Sequence, residues 1–181
     1  YSGRYCGRES QDMELSFNGV EIDGLTYDIA KALYPTDNIQ HNGFENVKIK
    51  DGAYDLVIGN VPFGDYRLFD SEYNRYKFVI HDYFIAKCLD KLKANGIMAV
   101  ITGKGTLDKG NPSAREYFAQ RGKLIRAVRL PNTAFKSSAG TTLSSLNYWI
   151  VDIPYLTAVD TSFDKNADNY FTRRTYSSKD I

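Results

Sequence analysis

The chain has few of the residues on which disulfide frameworks, metal centres and membrane spans depend. It contains 2 cysteines and 2 histidines among 181 residues. Cys6 and Cys88 have neither zinc-binding nor disulfide-framework spacing, as expected in a reducing cytosol. The longest apolar runs, such as residues 97–101, are too short to span a bilayer, and the opening YSGRYCGRES has no secretory h-region. We therefore expect a cytoplasmic protein with no metal and no membrane partner.

The composition is otherwise that of a globular domain, but the charge is unevenly placed. Hydrophobic residues make up 43% and charged residues 25% of the chain, whose net charge is +1. Residues 1–60 carry 5 Lys/Arg against 10 Asp/Glu, whereas residues 103–136 carry 8 against 2. The basic segment is either a footprint for DNA phosphates or a solvated surface. Its candidate nucleic-acid contacts are Lys104, Lys109, Arg115, Phe135 and Lys136, although Phe135 also fits a core position.

Apolar periodicity predicts alternating strands and helices. The predicted strands are residues 18–23, 53–59, 97–102, 124–131 and 143–153, and the predicted helices are 25–34, 78–96 and 111–122. Such βα alternation indicates an α/β fold, with a mostly parallel sheet covered by helices on both faces. We expect this domain to span residues 1–156 and residues 157–181 to form a peripheral tail.

The stretch DLVIGNVPFG, residues 55–64, brings polar and aromatic residues to the end of a buried strand. Ligands of parallel α/β sheets bind beyond the carboxyl ends of the strands, where we expect Glu21, Asp23, Asn60 and Phe63. Simpler interpretations exist, since Phe63 also fits a core and Asn60 a turn. Glu21 and Asp23 also fit ordinary strand-end carboxylates. His81 falls within a helix pattern, which favours a buried histidine with satisfied partners over a catalytic one.

Several segments in order resemble the amino-group methyltransferases that use S-adenosylmethionine. NVPF, residues 60–63, resembles their (Asp/Asn)-Pro-Pro-(Tyr/Phe) motif, with Val61 in place of the first proline. GVEID, residues 19–23, resembles their acidic motif after the second strand. Residues 78–109 and 128–141 are similar to the adenine-specific DNA methylase domain of mobile-element methylase–helicase proteins. The resemblance covers roughly residues 3–142 and implies a Rossmann-like methyltransferase fold.

This resemblance implies roles for individual residues. Asn60 and the Val61 carbonyl would accept the adenine amine, Pro62 would fix the turn and Phe63 would stack on a flipped base. In the cofactor site, Glu21 is the preferred ribose ligand over Asp23, and Glu45 would approach the cofactor adenine. GRYCG, residues 3–7, resembles only the tail of the glycine-rich loop that holds the methionine part, which leaves Gly3 as its candidate contact. The fold would then be N-terminally truncated, with weak or absent cofactor binding by this chain alone.

Two classes of function follow. The first is an S-adenosylmethionine-dependent adenine-N6 DNA methyltransferase domain or fragment. The second is a catalytically inactive, methylase-derived protein of a phage or mobile element. It would bind DNA or a host defence nuclease, as an anti-restriction or anti-CRISPR factor. Methylation of protein glutamine or RNA guanine uses a similar motif but fits the overall resemblance less well.

Overall fold

The computed structural model describes residues 15–62, 64–103, 105–129 and 146–152, the last of these as backbone alone. The chain divides into two compact units, residues 1–49 and residues 50–181. The predicted boundary at residue 156 and the predicted tail lie outside the described residues and stay predictions.

The first unit is a short βαβ arrangement. It comprises strand β1 (Asn18–Glu21), helix α1 (Gly24–Leu33), strand β2 (Asn38–His41) and a 3-10 turn (Phe44–Asn46). The two strands are parallel, with Asn18 opposite Asn38 and Glu21 opposite His41. Strand β2 was not predicted from the sequence. It follows a Pro-Thr-Asp turn and has one buried residue, Ile39.

Helix α1 confirms the predicted helix but not the burial that its apolar stripe suggests. Asp23 caps the helix, because its Oδ1 accepts hydrogen bonds from the backbone N–H of Thr26 at 2.8 Å and from the Thr26 hydroxyl at 2.7 Å. Leu25, Ile29 and Leu33 are nevertheless exposed. The buried residue of the helix is Ala30, which the periodicity did not single out.

The second unit contains a four-stranded sheet. Its elements are β3 (Tyr54–Asn60), a 3-10 turn (Asn74–Tyr76), α2 (Ile80–Lys91), β4 (Leu92–Gly103), α3 (Gly105–Asp108), α4 (Ser113–Ala119), β5 (Lys123–Arg129) and β6 (Leu146–Asp152). The strand order is β3-β4-β6-β5. Strands β3 and β4 are parallel, and β6 is antiparallel to both β4 and β5. Three strands therefore share one direction, which agrees with the predicted mostly parallel sheet.

Helix α2 is shorter than the sequence predicts. The Asn95-Gly96 pair suggested a helix end near residue 96, but the helix ends at Lys91 and β4 begins at Leu92. Asn95 has a left-handed φ of 63°. The pair thus forms a turn within the strand region, between the Tyr54–Leu92 and Leu56–Ile97 pairings.

The core of the second unit lies where α2 packs against β4 and α4. Ile85, Leu89, Met98, Val100 and Phe118 are buried there. This packing fixes the start of α2 and the ends of β3 and β4, which together surround the candidate site.

Candidate functional site

The turn after β3 presents Asn60 to solvent on a fixed backbone. Asn60 is the last residue of the strand, as predicted, and its side chain is exposed. The next residue continues the ladder, because the Val61 N–H donates to the Ile101 carbonyl at 3.0 Å. The Val61 side chain is also buried, so the turn is held both by this backbone hydrogen bond and by side-chain packing. The Asn60 amide makes no hydrogen bond to a described residue, so it remains available to a ligand.

The surface beside the end of β3 has room for a ligand. A Cβ atom added to Gly59 would meet no atom within 4 Å. Nearby on the same strand, Leu56 and Ile58 are exposed despite being large and apolar. Because side chains alternate between the two faces of a strand, Leu56, Ile58 and Asn60 share one face and Gly59 lies on the other. The exposed apolar face that carries Asn60 fits the apolar part of a small molecule.

His81, in the first turn of α2, lies against the segments that follow β3 and β4. A Cβ atom on Gly105 would be 3.3 Å from His81 Nε2. Both ring nitrogens are buried and make no side-chain hydrogen bond in the described part of the chain, but Nε2 lies 3.7 Å from Asp82 Oδ1, within ion-pair distance. Burial lowers the pKa of His81, and Lys109 lowers it further, against the raising effects of Asp82, the Gly64 backbone and Asp65.

In the first unit, the acidic motif places two carboxylates with different tasks at the end of β1. Asp23 caps α1, so its Oδ1 is already engaged, and this hydrogen bonding to Thr26 lowers the pKa of Asp23. Glu21 Oε1 accepts the Asp23 N–H at 2.9 Å, which orients the carboxylate. Between them, Ile22 is 70% exposed. An exposed apolar side chain beside an oriented carboxylate fits the base and ribose of a nucleoside. Ile22 was not predicted as a site residue, because its position falls within the strand predicted over residues 18–23.

Glu45 lies in the 3-10 turn of the first unit and folds back over the preceding glycine. A Cβ atom on Gly43 would come within 2.3 Å of Glu45 Oε1. Gly43 is therefore needed for this carboxylate position. Asn46 contacts the same oxygen weakly, at 3.4 Å.

Two of the predicted nucleic-acid contacts have partners inside the protein. Arg115 is 1% exposed, and its Nη1 donates to the backbone carbonyls of Thr106 at 3.1 Å and Lys109 at 2.8 Å. The predicted contact of Arg115 with DNA does not fit this burial. Lys109 forms an ion pair with the buried Asp82, which also accepts the Thr106 hydroxyl at 2.8 Å. Charge counting did not distinguish these structural cations from surface ones.

Five other predicted site residues lie outside the described residues. They are Gly3, Phe63, Lys104, Phe135 and Lys136. Their roles stay predictions.

The described residues bear on the expected metal and membrane chemistry. In these parts of the chain, no group of three or more His, Cys, Asp or Glu side chains is placed to hold a metal ion. Over the same residues, no helix combines the length and apolar character needed to cross a membrane. Burial raises the pKa of the Cys88 thiol to about 12, so this cysteine is protonated at neutral pH.

Solved structures define the class of fold. A class I S-adenosylmethionine-dependent methyltransferase from Listeria monocytogenes matches 82% of this chain and 47% of its own, with a TM-score of 0.61 and 20% identity. A modification subunit of a type I restriction enzyme from Vibrio vulnificus matches 76% of this chain and 33% of its own, with a TM-score of 0.59 and 20% identity. The fold is thus the Rossmann-like fold of S-adenosylmethionine-dependent methyltransferases.

The sequence matches the Eco57I restriction-modification methylase family over residues 18–136. The chain belongs to this family. A curated relative, the "Defense against restriction protein B" of Escherichia phage P1, is 28% identical over 141 residues. The match covers 75% of this chain but 6% of the phage protein. The chain therefore spans a small part of that relative and less than half of each solved structure described above.

Proposed function

We propose that the chain is an adenine-N6 DNA methyltransferase domain that uses S-adenosylmethionine. The observation that carries this proposal is the turn after β3, where the exposed Asn60 amide stands on a backbone locked by the Val61–Ile101 hydrogen bond. A pre-positioned acceptor at a strand end is what a poorly nucleophilic amine requires. Membership of the methylase family supports this assignment.

The chemistry assigned to the turn is the activation of the adenine N6 amine. Its lone pair is delocalised into the ring, so the nitrogen must be held in a geometry that localises the pair. The Asn60 Oδ1 and the Val61 carbonyl each accept one N6 hydrogen. Held in this way, the N6 nitrogen would direct its lone pair at the electrophilic methyl group that S-adenosylmethionine would supply when bound. One N6 proton then leaves to solvent.

The cofactor assignment rests on the fit of the residues present. When bound, S-adenosylmethionine supplies an electrophilic methyl group on its sulfonium sulfur. Glu21 would accept the ribose hydroxyls, and Ile22 would cover one face of the adenine. Glu45 is the proposed acidic contact to the adenine edge. In the second unit, Leu56 and Ile58 are the exposed apolar side chains on the same strand face as Asn60.

DNA is the proposed partner, and it implies a cytoplasmic location. A base in a duplex cannot reach the turn after β3, so the target adenine must be flipped out. Phe63 is the proposed stacking residue, and stacking on an aromatic ring contributes about 1–3 kcal/mol per base. Lys104, Phe135 and Lys136 remain proposed contacts of the DNA.

A second candidate is a methylase-derived protein without catalytic activity, which acts against host restriction. The phage relative favours it, because that protein's name describes defence against restriction. On this proposal the partner is DNA or a host defence nuclease, and Asn60 has no catalytic task.

A calorimetric titration with S-adenosylmethionine separates the two candidates. A dissociation constant in the micromolar range, weakened by Glu21→Gln but not by the Lys93→Ala control, supports the enzyme. Lys93 is exposed and pairs with Asp55 in the second unit, so its removal leaves the proposed ribose contact intact. No heat of binding up to millimolar cofactor supports the inactive protein.

A further inference from the structure

The segment between the turn after β3 and helix α2 forms a cavity of about 430 Å³ with an aromatic floor, here called the aromatic pocket. The buried rings of Tyr73, Phe78 and Tyr83 form the floor. Phe69, 81% exposed, stands at the rim with Arg67 and Lys77. This volume falls within the range of sites for small organic ligands, about 300–1,000 Å³.

The hydroxyl groups of the two floor tyrosines already have partners. Tyr83 donates to Asp70 at 2.7 Å, and Tyr73 donates to Asp90 at 2.8 Å. The floor is therefore an apolar, ordered support, and the ring exposed for stacking on a flat aromatic group is Phe69 at the rim.

The position of Phe69 at the rim is fixed by its neighbour. Asp70 is buried and pairs with Lys87 at 2.9 Å, and its backbone N–H donates to the Asn74 side chain at 3.0 Å. Burial opposes the charge on Asp70, but hydrogen bonds from Tyr83 and Lys87 outweigh it, and the pKa of Asp70 is lowered. An ordered loop thus holds a large apolar ring in water at the mouth of the aromatic pocket.

The two rim cations differ from the other basic side chains nearby. Neither the Arg67 nor the Lys77 side chain has a hydrogen bond or ion pair with a described residue. By contrast, Arg75 lies over the Tyr76 ring at 4.7 Å and donates to its hydroxyl at 2.7 Å. Lys77 also has a left-handed φ of 54°, a strained conformation for lysine, immediately before the floor residue Phe78.

The pocket segment is also tied to the turn after β3. The Tyr66 ring packs on Gly64, where an added Cβ atom would lie 2.8 Å from the ring. The Ile80 N–H donates to the Tyr66 carbonyl at 2.8 Å. The first rim residue, Arg67, therefore follows directly on Tyr66, whose ring and carbonyl are both held.

We propose that the aromatic pocket binds one unpaired nucleotide of a DNA strand, with Phe69 stacking on the base and Arg67 and Lys77 contacting phosphates. This proposal rests on the proposed DNA substrate. Flipping a target base leaves other bases without their stacking partners, and an aromatic platform with cations is how proteins hold such nucleotides. The rim offers two cations, and none of the described residues that line the pocket is a carboxylate.

The test is fluorescence anisotropy of the full chain with a labelled single-stranded octathymidylate. Phe69→Ala and Phe69→Leu should both weaken binding about tenfold, whereas Phe69→Trp should keep the affinity. The Phe69→Trp signal should also be quenched by the oligonucleotide beyond any change in wild type, whose only tryptophan is Trp149. Since Phe69 is exposed, these variants should fold normally.

The rim cations are tested by the salt dependence of the same binding. Arg67→Ala with Lys77→Ala should make the slope of log affinity against log salt shallower by about 1.4, since each single-strand phosphate contact contributes about 0.7. Arg75→Ala is the matched control and should leave the slope unchanged.

Three results would overturn the proposal. They are wild-type affinity of Phe69→Ala, an equal change of slope in Arg75→Ala, and competition by thymidine monophosphate or inorganic phosphate as strong as by the oligonucleotide. The same experiments distinguish failure of this proposal from failure of the proposed methyltransferase function. If the chain binds the oligonucleotide through Phe69 yet methylates no DNA, the pocket stands and the enzyme does not. If the chain methylates DNA while Phe69→Ala binds the oligonucleotide normally, the methyltransferase function stands and the proposed role of the aromatic pocket does not.

Discussion

Lys109→Met is expected to destabilise the second unit of the protein rather than to weaken DNA binding. Lys109 pairs with Asp82, whose side chain is 1% exposed. Without Lys109, this carboxylate would retain the hydrogen bond from the Thr106 hydroxyl and the His81 ring, whose Nε2 lies 3.7 Å away. Removing one partner of a buried ion pair costs about 3–5 kcal/mol, because the other charge stays buried. Lys109 itself is 29% exposed, so water reaches the site in the variant. We therefore expect a loss of about 2–3 kcal/mol.

Urea unfolding followed by circular dichroism measures this loss. The transition of the second unit should move to lower urea at an unchanged slope. In a thermal scan, 2–3 kcal/mol corresponds to a decrease of roughly 4–12 °C for a chain of this size. The double variant Asp82→Leu with Lys109→Met should recover much of the stability, because no charge is then left unpaired. Arg126→Met is an exposed basic control on β5 and should change stability by less than about 0.5 kcal/mol.

The opposite outcome would refute this reasoning. If Lys109→Met unfolds like the wild-type protein and instead flattens the salt dependence of duplex binding by about one phosphate contact, Lys109 contacts DNA. The ion pair with Asp82 would then be dispensable.

Two further predictions concern pH and packing. The pKa of His81 is lowered in the folded protein, so the unfolded chain binds the proton first, and stability should fall as the pH decreases below about 6.5, by at most about 1.4 kcal/mol per pH unit. Urea unfolding at pH 5–7 should show a smaller pH slope in His81→Gln, and an identical slope would contradict the burial argument. Gly96→Ala should cost about 1–3 kcal/mol in thermal scans, because the added Cβ would lie 2.9 Å from the Lys93 carbonyl. The control Gly110→Ala meets nothing within 4 Å and should be neutral, so equal effects would contradict the packing argument.

The sequence predicted the elements that local patterns determine. Apolar runs located β3, β4 and β5, and the turn residues after β3 placed Asn60 at a strand end, as the structure shows. The end of α2 was misplaced because Asn95-Gly96 is an equally good turn within a strand. Strand β2 was missed because its four residues have one buried side chain.

The site was harder to predict, because its residues interact with partners that are distant in the sequence, which local sequence patterns do not indicate. The basic segment suggested DNA contacts, yet Arg115 and Lys109 turn inward to carbonyls and to Asp82. A count of Lys and Arg along the sequence gives a buried cation the same weight as an exposed one. The aromatic pocket escaped notice for a related reason, because the exposed Phe69 and the buried Tyr83 are both aromatic in the sequence.

The most direct measurement of the central claim is methyl transfer to DNA by Asn60 variants. Purified chain, S-adenosylmethionine and adenine-containing duplex are incubated, and N6-methyladenine is quantified by mass spectrometry after digestion. With S-adenosylmethionine at millimolar concentration, which compensates for the weak binding expected of this chain alone, the account predicts N6-methyladenine from the wild-type chain and a decrease of about 100-fold or more in Asn60→Ala. Asn38→Ala, an exposed asparagine on β2, is the control and should retain full activity. Near-normal methylation by folded Asn60→Ala, or no N6-methyladenine from the wild-type chain, would contradict the account.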